Sequence, residues 1–108
     1  MVDYKAPLKD MQFALRHNAR LSQLAELPQF EEASDDMVSA ILEEAAKLAE
    51  NVLAPLNRVG DAEHCKLEND AVTTPTGFPA AYAQFVEGGW QGLQFPAELG
   101  GMGLPRAL

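Results

Sequence analysis

The chain has 108 residues, of which 47% are apolar, 22% charged and 7% aromatic, a globular composition that excludes a disordered or collagen-like polymer. Folding at this length removes about 60 to 70% of the unfolded chain's surface from water, which supports one modest core and excludes a two-domain enzyme. Sixteen Asp and Glu against eight Lys and Arg give a formal charge of −8, which repels phosphate backbones and anionic headgroups and argues against a nucleic-acid partner.

The opening residues MVDYKAPLKD contain no apolar run for secretion, and Asp3 and Asp10 run against an organelle transit peptide. No stretch of about 18 apolar residues is present to span a bilayer. The expectation is a soluble, cytoplasmic protein without a membrane span. Cys65 is the single cysteine, so no internal disulfide can form, and with only His64 beside it no metal-ligand set is expected.

In chain order, Pro7 suits the first turn of a helix, and Leu8, Met11 and Leu15 follow at spacings of three and four while Arg16, His17 and Arg20 gather toward a C-terminus. This predicts a helix from Leu8 to Arg20, then a short turn through Leu21, Leu24 and Leu27 stopped by Pro28. Ser34 is a good N-cap, with Asp35 and Asp36 complementing the helix dipole. From Val38 through Ile41, Leu42, Ala45, Leu48, Ala49, Val52, Leu53 and Leu56 runs a wide apolar stripe that needs a partner surface. Glu43, Glu44, Lys47 and Glu50 occupy the other face, with Glu43 and Lys47 spaced for a weak ion pair. Pro55 predicts a kink near Val52, and Gly60 a helix end.

Leu67 and Val72 flank the polar turn Glu68-Asn69-Asp70-Ala71, which predicts a small hairpin ending at Thr73-Thr74-Pro75. Thr76 or Gly77 then caps a helix with Phe78, Ala81, Tyr82, Phe85 and Val86 on one face, ended by Gly88-Gly89. Trp90 stands where it can fold back onto that helix. Gly92, Pro96, Gly100, Gly101, Gly103 and Pro105 predict an irregular tail. The fold class expected is all-α.

Three constellations could carry chemistry. Asp35-Asp36 and Glu43-Glu44 are acid pairs, read as a helix cap and a solvated face rather than as acid–base machinery. His64-Cys65 lacks an orienting third group and is read as loop. Trp90, Phe95 and Met102 are read as an apolar cluster anchoring a turn, the rival being a ligand pocket. GGMGL lacks the spacing of a phosphate loop and has no strand before it.

The strings YKAPLKDMQF, AILEEAAKLAENVLAPLNRVGD, CKLEND and VTTPTGF, and GWQGLQFPAELGGMGLP together resemble the N-terminal portion of acyl-CoA dehydrogenases. The resemblance covers nearly the whole chain and is nearest the branch with an extra N-terminal segment of the YKAPL type. The PxxxGGxG turn, Pro96 to Gly103, is its most specific part. Residues 1-33 are then the extension with a short helix, and 34-108 part of the N-terminal helical domain of an acyl-CoA dehydrogenase-like fold. The resemblance implies a parent flavoenzyme that uses FAD to oxidise the α,β bond of an acyl-CoA thioester. It also implies an electron-transfer flavoprotein as partner and homo-oligomeric assembly. In the family the base and the flavin contacts lie after the GGxG turn. No residue here therefore inherits a catalytic, cofactor-binding or metal role, Glu98 within the turn included, and no activity or FAD binding is expected of the 108 residues alone. The alternative reading is a stand-alone acidic helical interaction module that docks through its apolar stripes.

Overall fold

The computed structural model describes residues 3–108, so the first two positions of the 1–33 segment lie outside the described residues. The chain is mostly helical with one two-stranded sheet, in agreement with the expected all-α class.

Helix α1 spans Leu8–Phe13 and widens into a π turn over Ala14–Asn18, closed by the Ala19 N–H on the Ala14 carbonyl at 3.0 Å. The single regular helix expected from Leu8 to Arg20 is thus corrected, although its end holds, because Arg20 adopts φ +51° and reverses the path. Helix α2 is one turn, Leu21–Leu24, and Pro28 starts a 3₁₀ turn to Phe30 instead of simply stopping the chain.

Helix α3, Asp35–Leu48, begins as its cap predicts: the Ser34 hydroxyl accepts the Met37 N–H at 3.2 Å, and Asp35 and Asp36 fill the first turn. Its expected Glu43–Lys47 pair is not formed; Lys47 instead bonds Glu44, one turn back along the same face. Ahead of Pro55 the helix opens into a π turn over Ala49–Leu53, the Ala54 N–H reaching the Ala49 carbonyl at 2.8 Å. Proline lacks a donor and its ring crowds the carbonyl four residues back, and the wider turn lets the rod pass it. The rod resumes as α4, Leu56–Glu63, running through Gly60 rather than ending there. A Cβ at Gly60 would stand 2.9 Å from Cζ of Phe78, so this glycine serves the close approach of a ring, not a helix end. His64, at φ +56°, is the actual stop.

Strands β1, Lys66–Glu68, and β2, Ala71–Thr73, pair antiparallel with Leu67 opposite Val72. The turn is narrower than expected: only Asn69 and Asp70 lie outside the ladder, both at positive φ, the conformation that matches strand twist in a two-residue hairpin loop. Helix α5, Phe78–Glu87, starts after Gly77 with Pro79 in its first turn. The tail contains two 3₁₀ turns, Trp90–Gly92 and Ala97–Leu99, where no regular element was expected. It closes on itself through Met102, Gly103 and Leu104, whose N–H groups reach the carbonyls of Gly92, Phe95 and Leu93 at 2.8 to 3.0 Å. Gly101 passes so tightly over the Phe95 carbonyl that any Cβ would overlap it.

Leu21, Val38 and Leu42 form the buried cluster, with Leu8, Leu15, Leu24 and Leu108 packed around it. Of the predicted stripe on α3 only Val38 and Leu42 are buried; Ile41, Ala45 and Leu48 are half-buried, and Ala46, outside the predicted stripe, is the third buried residue because the covered face is turned from the one expected. The molecule is a slab of 53 × 36 × 18 Å with a radius of gyration of 17.1 Å, against about 13 Å for a compact domain of this length. It exposes 8106 Å², where a compact protein of 11.7 kDa exposes about 5,900 Å². The helices lie side by side and leave their broad faces open.

Candidate functional site: two apolar grooves

Two grooves open between the rod formed by α3 and α4 and the layer formed by α5 and the tail. The first, about 670 Å³, runs between Ile41, Leu48 and Val52 on one wall and Gly88, Trp90, Leu93 and Met102 on the other. Its charged residues are Glu44, Lys47 and Glu87. Lys47 is held by the Glu44 carboxylate, which keeps its ammonium pKa above the usual value. The second groove, about 730 Å³, is bounded by Leu53, Leu56 and Gly60 on the rod and by Phe78, Ala81, Tyr82 and Phe85 on α5, with Asp61 and Cys65 at its edge. The Tyr82 and Phe85 rings lie nearly parallel, centroids 6.4 Å apart, and Tyr82 is 68% exposed.

Two carboxylates on the rod fasten segments that are distant in sequence. Glu50, in the second π turn, accepts the Lys5 ammonium and the Ala6 N–H, each at 2.9 Å, and so ties the YKAPL segment to the rod. The hydrogen bond from Lys5 and then that from the Ala6 backbone hold the Glu50 pKa below the ordinary carboxylate value, while Glu50 raises that of Lys5. Glu63, at the end of α4, accepts the Thr76 N–H at 2.7 Å, which with the Thr76 side chain also lowers its pKa. This bond sets the entry to α5.

Of the residues weighed from sequence, Asp35 and Asp36 sit in the first turn of α3, where Asp35 lies 4.0 Å from Arg16. Glu44 partners Lys47, and His64 is the exposed stop of α4. Cys65 is exposed at the edge of the second groove. The expected apolar trio is divided: Trp90 and Met102 share the first groove, while Phe95 is not among its lining residues and is 51% exposed. Glu98 is exposed in the second tail turn. Sequence reasoning did not find Glu50 or Glu63 as fasteners, since their partners lie 44 and 13 residues away. The helical spacing of Phe78, Tyr82 and Phe85 did mark one wall of the second groove.

The grooves can bind apolar groups. They do not fit the phosphates of a dinucleotide such as FAD: among the described lining residues the only cation is Lys47, already neutralised by Glu44, and the other charged groups are carboxylates. Among the described residues no three His, Cys, Asp or Glu side chains converge on a metal-sized site, and no helix is long and apolar enough to cross a membrane.

No family model matches the chain. A relative does, and it indicates the class: over nearly its whole length the chain is similar to part of an acyl-CoA dehydrogenase. The relative is 3-methylmercaptopropionyl-CoA dehydrogenase of Ruegeria pomeroyi, 43% identical over 105 residues, which is 97% of this chain and 18% of that protein. The chain therefore spans less than a fifth of the length of the relative it matches.

Proposed function

We propose that this chain is the helical N-terminal part of an FAD-dependent enzyme that oxidises the α,β carbon–carbon bond of an acyl-CoA thioester and delivers the electrons to an electron-transfer flavoprotein. The observation that carries this reading is the 43% identity along nearly the full chain to a protein named as an acyl-CoA dehydrogenase. Residues 1–33 serve as an extension fastened to the rod by Glu50, and 34–108 as part of the helical domain proper. The flavin and the catalytic base are assigned to the remainder of the longer protein, and the 108 residues contribute a wall rather than a reacting group. The mismatch between the groove linings and a pyrophosphate supports that division. A cytoplasmic location and homo-oligomeric assembly belong to the same reading. The adaptor alternative is served by the open faces, but it leaves the match through the PxxxGGxG tail without a reason.

The test is spectroscopic. The longer protein containing this segment should purify yellow, and anaerobic addition of an acyl-CoA should bleach its flavin band. The 108-residue chain should remain colourless and inert toward the same thioester. A longer protein with neither flavin nor acyl-CoA-dependent bleaching refutes the dehydrogenase reading, and a flavin band on the short chain refutes the division of labour.

A further inference from the structure

The tie between the YKAPL segment and the rod lands on the one turn that both grooves share. Residues 3–7 form no regular element, and Glu50 fastens them from the second position of the π turn Ala49–Leu53. One carboxylate oxygen accepts the Lys5 ammonium and the other the Ala6 N–H, each at 2.9 Å. Only 21% of the Glu50 side chain is exposed, against 76% for Lys5, so the carboxylate is set into the fold and the segment comes to it. Further along the same turn, Val52 lines the first groove and Leu53 the second. Glu50 itself lines neither of the two.

A π turn differs from an α turn in one choice of acceptor. The Ala54 N–H reaches the Ala49 carbonyl, five residues back, at 2.8 Å, and the Glu50 carbonyl, four residues back, is the α-helical alternative. Pro55 requires room behind its ring, but it does not fix which of these two carbonyls Ala54 uses. Moving that bond turns Val52 and Leu53 about the rod axis, and so alters both groove walls together. We propose that the YKAPL segment is a strap that sets this choice. Closed on Glu50, it holds the five-residue bond and the walls as they stand; released, it lets the Ala54 bond pass to the Glu50 carbonyl. An element with two discrete arrangements is what an attached segment can bias. The device acts on the grooves from outside them and needs neither flavin nor thioester, so it stands or falls apart from the proposed chemistry.

The chain carries its own reporter, since its single tryptophan, Trp90, stands across the first groove from Val52. The experiment compares the 108-residue wild type with Lys5→Glu, which sets two carboxylates against each other and opens the strap without altering the rod. Lys9→Glu is the control, the same charge change at an exposed residue of α1 outside the tie. NMR couplings across the hydrogen bond identify the acceptor of the Ala54 N–H, and acrylamide quenching of Trp90 follows the groove. Wild type and Lys9→Glu should show the Ala49 carbonyl as acceptor and equal quenching. In Lys5→Glu the bond should pass to Glu50 in at least about half of the molecules, the shift a two-state turn shows once its bias is removed, and Trp90 quenching should change with it. If Lys5→Glu loses helicity by circular dichroism, Lys5→Ala, which removes the ammonium without repulsion, decides by the same readouts. A folded variant in which residues 3–7 open to protease while the Ala54 acceptor and Trp90 quenching stay as in wild type overturns the inference. So does one in which residues 3–7 stay protected, or an equal change in Lys9→Glu.

Discussion

Replacing Gly101 by alanine tests the tail turn, the part of the chain on which the family resemblance is most specific. A Cβ at this position would overlap the carbonyl oxygen, the carbonyl carbon and the Cβ of Phe95. Two of those atoms are backbone, so no side-chain rotation relieves the clash. The Phe95 carbonyl also accepts the Gly103 N–H at 2.8 Å, and Gly101 itself donates to Pro96 at 3.0 Å. Moving the strands of the turn apart costs about 1 to 3 kcal/mol for the forced shift, and losing one hydrogen bond adds about 1 kcal/mol, giving about 2 to 4 kcal/mol in all. For a domain of this size that lowers Tm by about 10 to 20 °C. Gly92→Ala is the matched control, because its Cβ would meet the Gly101 Cα at 3.6 Å and the Gly100 carbonyl oxygen at 3.9 Å, both ordinary contacts, and its cost should stay within about 1 kcal/mol. Thermal melts followed by far-ultraviolet circular dichroism, at one fixed concentration, compare the two. Melting temperatures that agree within about 2 °C would show that the tail has room for a methyl group and would refute the close approach.

Leu42→Ala should destabilise by about 3 to 5 kcal/mol, because Leu42 is 4% exposed and enclosed on all sides, whereas Ile41→Ala, on the wall of an open groove, should cost about 1 to 2 kcal/mol. Urea midpoints in the reverse order would show that the groove, not the leucine cluster, is the core. Because the Glu50 pKa is depressed in the folded state, its contribution is present above the ordinary value of 4.5 and is lost as pH falls below it. The stability gap between wild type and Glu50→Gln should therefore close in acid, and a gap independent of pH between 6 and about 3 would remove the Lys5–Glu50 tie. Glu63→Gln should show the same acid dependence, while leaving the YKAPL segment as protease-resistant as in wild type, since Glu63 fastens Thr76 and not Lys5.

The sequence displayed those features that depend on neighbouring residues. Ser34 with Asp35 and Asp36 marked the start of α3, Asn69-Asp70 the hairpin, and Gly88-Gly89 the end of α5. It misled where a residue has two uses: Gly60 resembles a stop, but in the fold it makes room for Phe78. The apolar stripe of α3 showed which residues could face inward, yet coverage is decided by what lies across from them. Only the arc through Val38, Leu42 and Ala46 is covered here, and Ile41 and Leu48 are left on a groove wall. Neither π turn has a sequence signature, because a change from four-residue to five-residue bonding leaves composition and periodicity almost untouched. The grooves and the Glu50 tie join residues about 20 to 60 positions apart, and no local spacing encodes such pairings.

Leu8 and Leu108 pack against the same three buried leucine and valine side chains, although 99 residues separate Leu8 from its distant neighbour. This geometry sets an order of events during synthesis. Closing so long a loop costs entropy before the contact returns anything, and residues near the start leave the ribosome well before Leu108 is made. The rod and its hairpin, built from local contacts, can form early, while the leucine cluster waits for its last wall. A nascent chain halted short of Leu108 should consequently carry a formed α3 with the YKAPL segment held by Glu50 but its Leu8 incompletely packed, and pulse proteolysis of stalled chains of graded length should register the added protection when the cluster closes.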